Sequence, residues 1–322
     1  MTIALDTHLH PDSYRDSLAR DVRAGLASTS KSLPPKYFYD ARGGDLFDQI
    51  TRLPEYYPTR TERGILQARA ADIARLTGAE TLIELGSGTS EKTRILLDAL
   101  TSSGTLERFV PFDVDTATLT QASATIAAEY PGLDVHAVVG DFEHHLGLLP
   151  TQGRRLIAFL GSTIGNFDPA QRAFLLGALR STLRPGDAVL LGFDLVKDTT
   201  RLVAAYDDSL GVTAEFNRNV LTVLNRELDA DFDPGSFDHV AVWNAEQEWI
   251  EMRLRSTRAQ IARIGALDLD VLFEPGEDIL TEISAKFRRD VVEQEMIAAG
   301  LEIHHWWTDP NNDFALSLAL LP

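Results

Sequence analysis

The chain has 322 residues, 44% of them hydrophobic and 24% charged, which is the composition of a folded globular protein with one large domain or two. It contains no cysteine, which excludes disulfides, thiolate metal sites and cysteine nucleophiles, and its formal net charge of −18 makes nucleic acid a poor partner. There is no apolar run long enough to span a membrane, and the acidic start MTIALDTHLHPDSYRD lacks the basic region of a secretory signal, so a cytoplasmic protein without membrane contact is expected.

In chain order, residues 1–30 carry little pattern. The stretch KSLPPKYFYDARGGDLFDQITRLPEYYPTRTE (31–62) reads as a proline-interrupted loop, a short helix DLFDQIT and a second aromatic turn. From about residue 80 short apolar runs alternate with helical stretches. The expected strands are TLIEL (81–85), RFVPFDV (108–114), VHAVVGD (135–141), RLIAFLG (155–161) and AVLLGFDL (188–195). Between them lie the helical stretches EKTRILLDAL, DTATLTQASATIAAEY and PAQRAFLLGALRSTL, the last opened by Asp168-Pro169 and stopped by Pro185-Gly186. Continuous apolar strands separated by helices imply a doubly wound parallel sheet. After Leu195 the alternation breaks: 197–229 has helical spacing and 240–273 reads as antiparallel strands. The βα pattern then resumes with the helix RRDVVEQEMIAAG. LEIHHWWTD and FALSLALL follow, joined through PNND as an antiparallel closing hairpin. The expected architecture is therefore an α/β, Rossmann-like core of residues 61–196 and 286–322, with a second α+β domain made of 1–60 and 197–285.

The turn IELGSGTSEKT raises the question of its ligand. A dinucleotide site wants a third glycine where Glu91 stands, and an acid at that helix start opposes a pyrophosphate. Glu84 before Gly86 and Gly88 suits instead a cationic ligand without phosphate, S-adenosylmethionine. Asp113 ends the second strand, where a carboxylate can accept from ribose hydroxyls. Asp141 and Phe142 follow the third, where an acid and a ring can meet adenine. The pairs His8/His10, His144/His145 and His304/His305 give no convincing metal set, so no metal is expected.

The segment 31–62 together with IELGSGTSEKT, FLGSTIGNF (159–167), DLVKD (194–198), AYDD (205–208), FNRNVL (216–221), TEIS (281–284) and WWTDP (306–310) resembles the L-histidine Nα-methyltransferases of ergothioneine biosynthesis. The resemblance runs over nearly the whole chain. It implies three methyl transfers from S-adenosylmethionine to the α-amine of histidine. It also implies cofactor contacts at Gly86, Lys92, Asp113, Asp141 and Phe142, substrate contacts at Tyr56, Asn166, Tyr206, Met252, Glu282 and Ser284, and Tyr39 beside the amine. The chemistry suits these types. Asn166 and the Tyr206 hydroxyl are neutral donors for a carboxylate, and Glu282 with Ser284, two apart on an extended segment, can share one face and serve both imidazole nitrogens. Ile283 between them should point away. Apart from the resemblance, Lys92 reads as a solvated helix lysine and Met252 as core filler. A tryptophan α-amine methyltransferase is the alternative, a dehydrogenase is disfavoured by Glu91 and the hairpin, and a non-catalytic binding module is a third class. A monomer is expected.

Overall fold

The computed structural model describes residues 3–9 and 11–321. Its strands in chain order are β1 (Ala4–Thr7), β2 (Lys31–Ser32), β3 (Thr81–Leu85), β4 (Arg108–Asp113), β5 (Asp134–Val139), β6 (Arg155–Phe159), β7 (Ala188–Asp194), β8 (Phe237–Asn244), β9 (Trp249–Ser256), β10 (Gln260–Ile264), β11 (Leu269–Phe273), β12 (Asp278–Ala285), β13 (Ile303–Thr308) and β14 (Phe314–Leu320). The described chain separates into two compact units, residues 3–9, 58–196 and 286–321 in the first, 11–57 and 197–285 in the second.

The first unit is built on an eight-stranded sheet of order β1-β5-β4-β3-β6-β7-β14-β13. The strands from β1 to β7 run parallel. β14 pairs antiparallel with β7 and with β13, so the closing hairpin is antiparallel as the short connection implies. Asp309 makes that turn by accepting the backbone N–H groups of Asn311, Asp313 and Phe314 at 2.9, 2.7 and 2.8 Å. β3, β6 and β7 are buried along their full length, which is why they read as continuous apolar runs. Helices include Pro58–Thr77, Thr93–Ser102, Thr116–Glu129 and Pro169–Thr182. The last begins with a reciprocal capping box between Asp168 and Gln171, in agreement with the Asp-Pro signal. One core gathers Leu82, Leu96, Phe109, Leu156, Leu190 and Phe314. The sequence reading grouped residues 1–60 with the second domain. Ala4–Thr7 instead pairs in parallel with His136–Val139 and extends the first unit's sheet. Its residues are exposed throughout, so it carries no apolar pattern to read.

The second unit has a four-stranded sheet of order β2-β12-β9-β8 and a two-stranded ribbon β10-β11. Helices Pro11–Leu26, Ala41–Ile50, Thr199–Ala204 and Val212–Leu228 accompany them. Its own core gathers Leu18, Phe38, Phe216, Val220, Leu254 and Ile279. The Val212–Leu228 helix, with Phe216, Val220 and Leu224 buried, packs on β8 and β9. β12 departs from regular pairing: Leu280 faces Arg253 and Glu282 faces Met252, which leaves Thr281 as the extra residue of a bulge. Among the described residues no helix is long and apolar enough to cross a membrane.

Candidate active site

In the first unit the turn after β3 is fastened through a backbone amide to the acid that ends the neighbouring strand β4. Gly86 and Gly88 have φ of +66° and +48°, a region that favours glycine, and a Cβ built on either would meet nothing within 4 Å. The turn therefore borders open space. Asp113, half-buried at the end of β4, accepts the Gly88 N–H at 2.9 Å and the Asp115 N–H at 3.1 Å. Burial raises its pKa, and those two amides oppose the rise. Glu84 is buried beneath the turn and accepts a hydrogen bond from the Thr93 hydroxyl. Burial pushes its carboxyl up to about 8, against the pull of Thr93 and Lys92. Lys92 precedes the helix Thr93–Ser102 and is ion-paired with Glu62, which is fully buried and also accepts the Gly161 N–H on both carboxylate oxygens, at 2.8 and 3.0 Å. Asp141 is buried at the end of the loop after β5, its N–H donating to His145 Nδ1 at 3.0 Å. Phe142 sets its ring edgewise to Phe159 and Phe167 at 5.3 and 5.8 Å. Asn166, half-buried, ends the short helix Thr163–Asn166 beyond β6.

The sequence reading passed over Glu62, Ser87 and Ser90. The last two have buried hydroxyls with no hydrogen-bond partner among the described residues. Their only sequence signal is their place flanking the glycines in GSGTS. Buried hydroxyls without a partner, open glycine backbone and the Asp113 carboxylate suit a hydrogen-bonding ligand such as S-adenosylmethionine. No group of three or more metal-ligating side chains gathers among the described residues, and His10 lies outside them.

The second unit brings together Tyr206, Met252, Glu282 and Ser284. Glu282 lies directly across from Met252, which in turn faces Ala241 on β8; Ser284 faces Ile250, which faces Trp243. These cross-strand rows share one face of the sheet. Met252, Glu282 and Ser284 are buried while Ile283 is only half-buried, consistent with its side chain turning away. Tyr206 places its hydroxyl 2.7 Å from Ser284 Oγ. Tyr56 is buried edgewise to the Tyr206 ring at 6.2 Å. Tyr39, half-buried, lies edgewise to Phe47 and Phe216, each at 5.6 Å. Phe38, Tyr39 and Tyr56 thus converge on Phe47 and Phe216, neither of which the sequence reading singled out.

A parallel sheet with an antiparallel closing hairpin, a glycine turn after its central strand and acids at the next two strand ends define an S-adenosylmethionine-dependent methyltransferase. The model of the histidine-specific, S-adenosylmethionine-dependent methyltransferases matches residues 18–321, and the chain belongs to that family. It is 62% identical over 320 residues to the histidine N-alpha-methyltransferase of Mycolicibacterium smegmatis, covering 99% of this chain and 100% of the relative. It is 59% identical to the enzyme of that name from Mycobacterium tuberculosis, covering 99% of each. It is also 30% identical to ergothioneine biosynthesis protein 1 of Neurospora crassa, covering 89% of this chain and 33% of that longer protein.

Proposed function

We propose that the protein transfers three methyl groups in succession from S-adenosylmethionine to the α-amino nitrogen of L-histidine, giving the trimethylated betaine used for ergothioneine. Family membership supports the reaction, and the observation that carries the substrate reading is the buried face where Met252, Glu282 and Ser284 meet the Tyr206 hydroxyl. When bound, S-adenosylmethionine supplies a methyl group on a sulfonium, a leaving group that keeps the electron pair of the broken bond. The amine lone pair forms the new C–N bond, and the product nitrogen sheds a proton before the next transfer, except after the third, when the charge is permanent.

The roles proposed for this chain are binding and orientation, the main source of rate in an in-line displacement. Gly86 and Asp113 hold the ribose side of the cofactor, Lys92 its carboxylate, and Asp141 with Phe142 its adenine. In the second unit Tyr56 and Tyr206 hold the histidine carboxylate, Glu282 and Ser284 the two ring nitrogens, and Met252 the ring face. Tyr39 accepts a hydrogen bond from the amine and aims its lone pair. Recognition through the carboxylate and ring survives as methyl groups replace the amine's hydrogens. An indole offers one N–H where an imidazole offers two nitrogens, so it matches the Glu282–Ser284 pair less well than histidine does. Residues 11–57 and 197–285 then form the substrate-binding unit. The acidic net charge supports leaving nucleic acid out, and the proposed setting is a monomer in the cytoplasm. Mass spectrometry of histidine incubated with enzyme and S-adenosylmethionine tests the reading. One, two and three added methyls with fragmentation at the α-nitrogen are expected, and a ring-methylated or unchanged histidine overturns it.

A further inference from the structure

Beside the proposed histidine-binding residues, along the same buried face, lies a polar network that the reaction itself does not use. Asn217, fully buried on the Val212–Leu228 helix, donates from Nδ2 to His239 Nδ1 at 2.8 Å and to the Arg253 carbonyl at 3.1 Å. Its Oδ1 accepts from the Thr281 hydroxyl at 2.7 Å, and that hydroxyl lies 2.9 Å from the Met252 carbonyl, sharing its proton between two acceptors. His239 Nε2 lies 2.7 Å from the Tyr206 carbonyl. Burial lowers the pKa of His239 and favours the neutral ring. With Nδ1 occupied as acceptor, its one proton sits on Nε2 and donates to Tyr206.

The network therefore touches three of the segments that carry proposed histidine contacts in this unit: the Tyr206 loop, β9 at Met252, and β12 one residue before Glu282. Its member on β12 is the bulged residue. Ile279 faces Leu254, which faces His239 on its other side, and strict alternation from Ile279 would send residue 282 to the opposite face. The extra residue at Thr281 shifts the phase, so that Glu282 and Ser284 return to the buried side. A bulge leaves a ladder position unpaired, and here the Thr281 side chain ties that position to the helix.

We propose that His239, Asn217 and Thr281 are positioning residues for substrate recognition, holding Tyr206 against Ser284 and fixing the bulge that turns Glu282 toward the ring. The inference rests on the assignment of histidine to Tyr206, Met252, Glu282 and Ser284. A merely structural network would lower stability without singling out one substrate. A positioning network raises the KM for histidine while leaving cofactor affinity alone.

The experiment measures initial rates against histidine, cofactor Kd by calorimetry and thermal stability for Asn217→Ala, Thr281→Val, His239→Leu and His239→Gln, with Glu282→Ala in parallel. In Asn217→Ala, Thr281→Val and His239→Leu the histidine KM is expected to rise about five- to tenfold, the effect of one lost buried hydrogen bond, with cofactor Kd within about twofold of the parent. Gln carries an N–H close to the position of His Nε2, so His239→Gln should recover most of the loss seen in His239→Leu. Parental histidine KM in Asn217→Ala and Thr281→Val overturns the proposal, as does an equal loss of cofactor affinity. If His239→Leu does not fold, Thr281→Val, which nearly preserves shape, decides alone. Parental KM in Glu282→Ala would instead overturn the substrate-site reading on which the proposal stands.

Discussion

Glu84 is a carboxyl group held out of water, and its chemistry has a sign. An unfolded chain loses this proton near the ordinary value of 4.5, whereas the folded protein keeps it up to about 8. Between those values the folded state binds more protons, so stability contributed by this group is full below the lower value and is lost as pH rises through the upper one. Urea denaturation at about pH 5 and about pH 8.5 should show Glu84→Gln, which can still accept from Thr93, flattening the decline by a few kcal/mol. An unchanged slope would place the titration elsewhere. Asp113→Ala should weaken S-adenosylmethionine binding by ~1.5–3 kcal/mol in calorimetry, since it removes a charged acceptor and unfastens Gly88. At the proposed ring contacts, Glu282→Ala combined with Met252→Val should lower kcat/KM for histidine and raise it for tryptophan. The pair removes a charged acceptor and widens the space opposite it. Unmoved kcat/KM for both amino acids would detach these residues from specificity. The acids at the ends of β4 and β5 and the i, i+2 spacing of TEIS were legible as local patterns, whereas Lys92 and Met252 were singled out only through the family resemblance. The ion pair of Lys92 with Glu62 was not legible, because the two are brought together by a helix packing on a sheet rather than by any local pattern.

At the scale of elements, β7 and the helix Pro58–Thr77 approach each other closely at Gly192. A Cβ there would lie 2.3 Å from Glu62 Oε1 and 3.2 Å from the Phe314 ring. Gly192→Ala is expected to lower stability by roughly 1–3 kcal/mol, the usual cost of overpacking, and to displace Glu62 from Gly161. A melting temperature equal to the parent's would show that the helix shifts freely. The core strands were readable because burial on both faces leaves an apolar run, and β13–β14 because a four-residue polar connection can only join neighbours. β1 was not, since an exposed edge strand has neither run nor alternation, and Pro11–Leu26 was hidden by its many charged residues. The bulge at Thr281 was also invisible. Sequence spacing gives the relation of Glu282 to Ser284 but not the phase of both relative to Ile279, which depends on pairing with β9.

For the molecule as a whole, the chain divides into two units, and the proposed contacts give the two ligands different footprints. Hydrogen exchange with S-adenosylmethionine alone should slow in the 86–92 turn and around Asp113 and Asp141, all in the first unit. Histidine added to that complex should slow exchange around Tyr206 and along β12 in the second. Cofactor protection confined to the second unit would reverse the assignment. Ligand held at about one hundred times its Kd should also stabilise the fold by about 2.7 kcal/mol, which calorimetric melting can follow.

The chain leaves the first unit after Val196 and returns at Lys286, and these two points adjoin. Leu195 and Phe287 form a parallel bridge, the Val196 N–H donates to the Phe287 carbonyl at 3.1 Å, and Asp194 and Lys286 form a buried ion pair at 3.0 Å. To the sheet, everything from 197 to 285 is therefore a closed loop with fixed ends. Loop-closure entropy grows only with the logarithm of length, by about 0.6 kcal/mol for each doubling. Insertions and deletions within that span therefore cost the sheet little in closure, and the length of this segment can vary without disturbing the strands that close it.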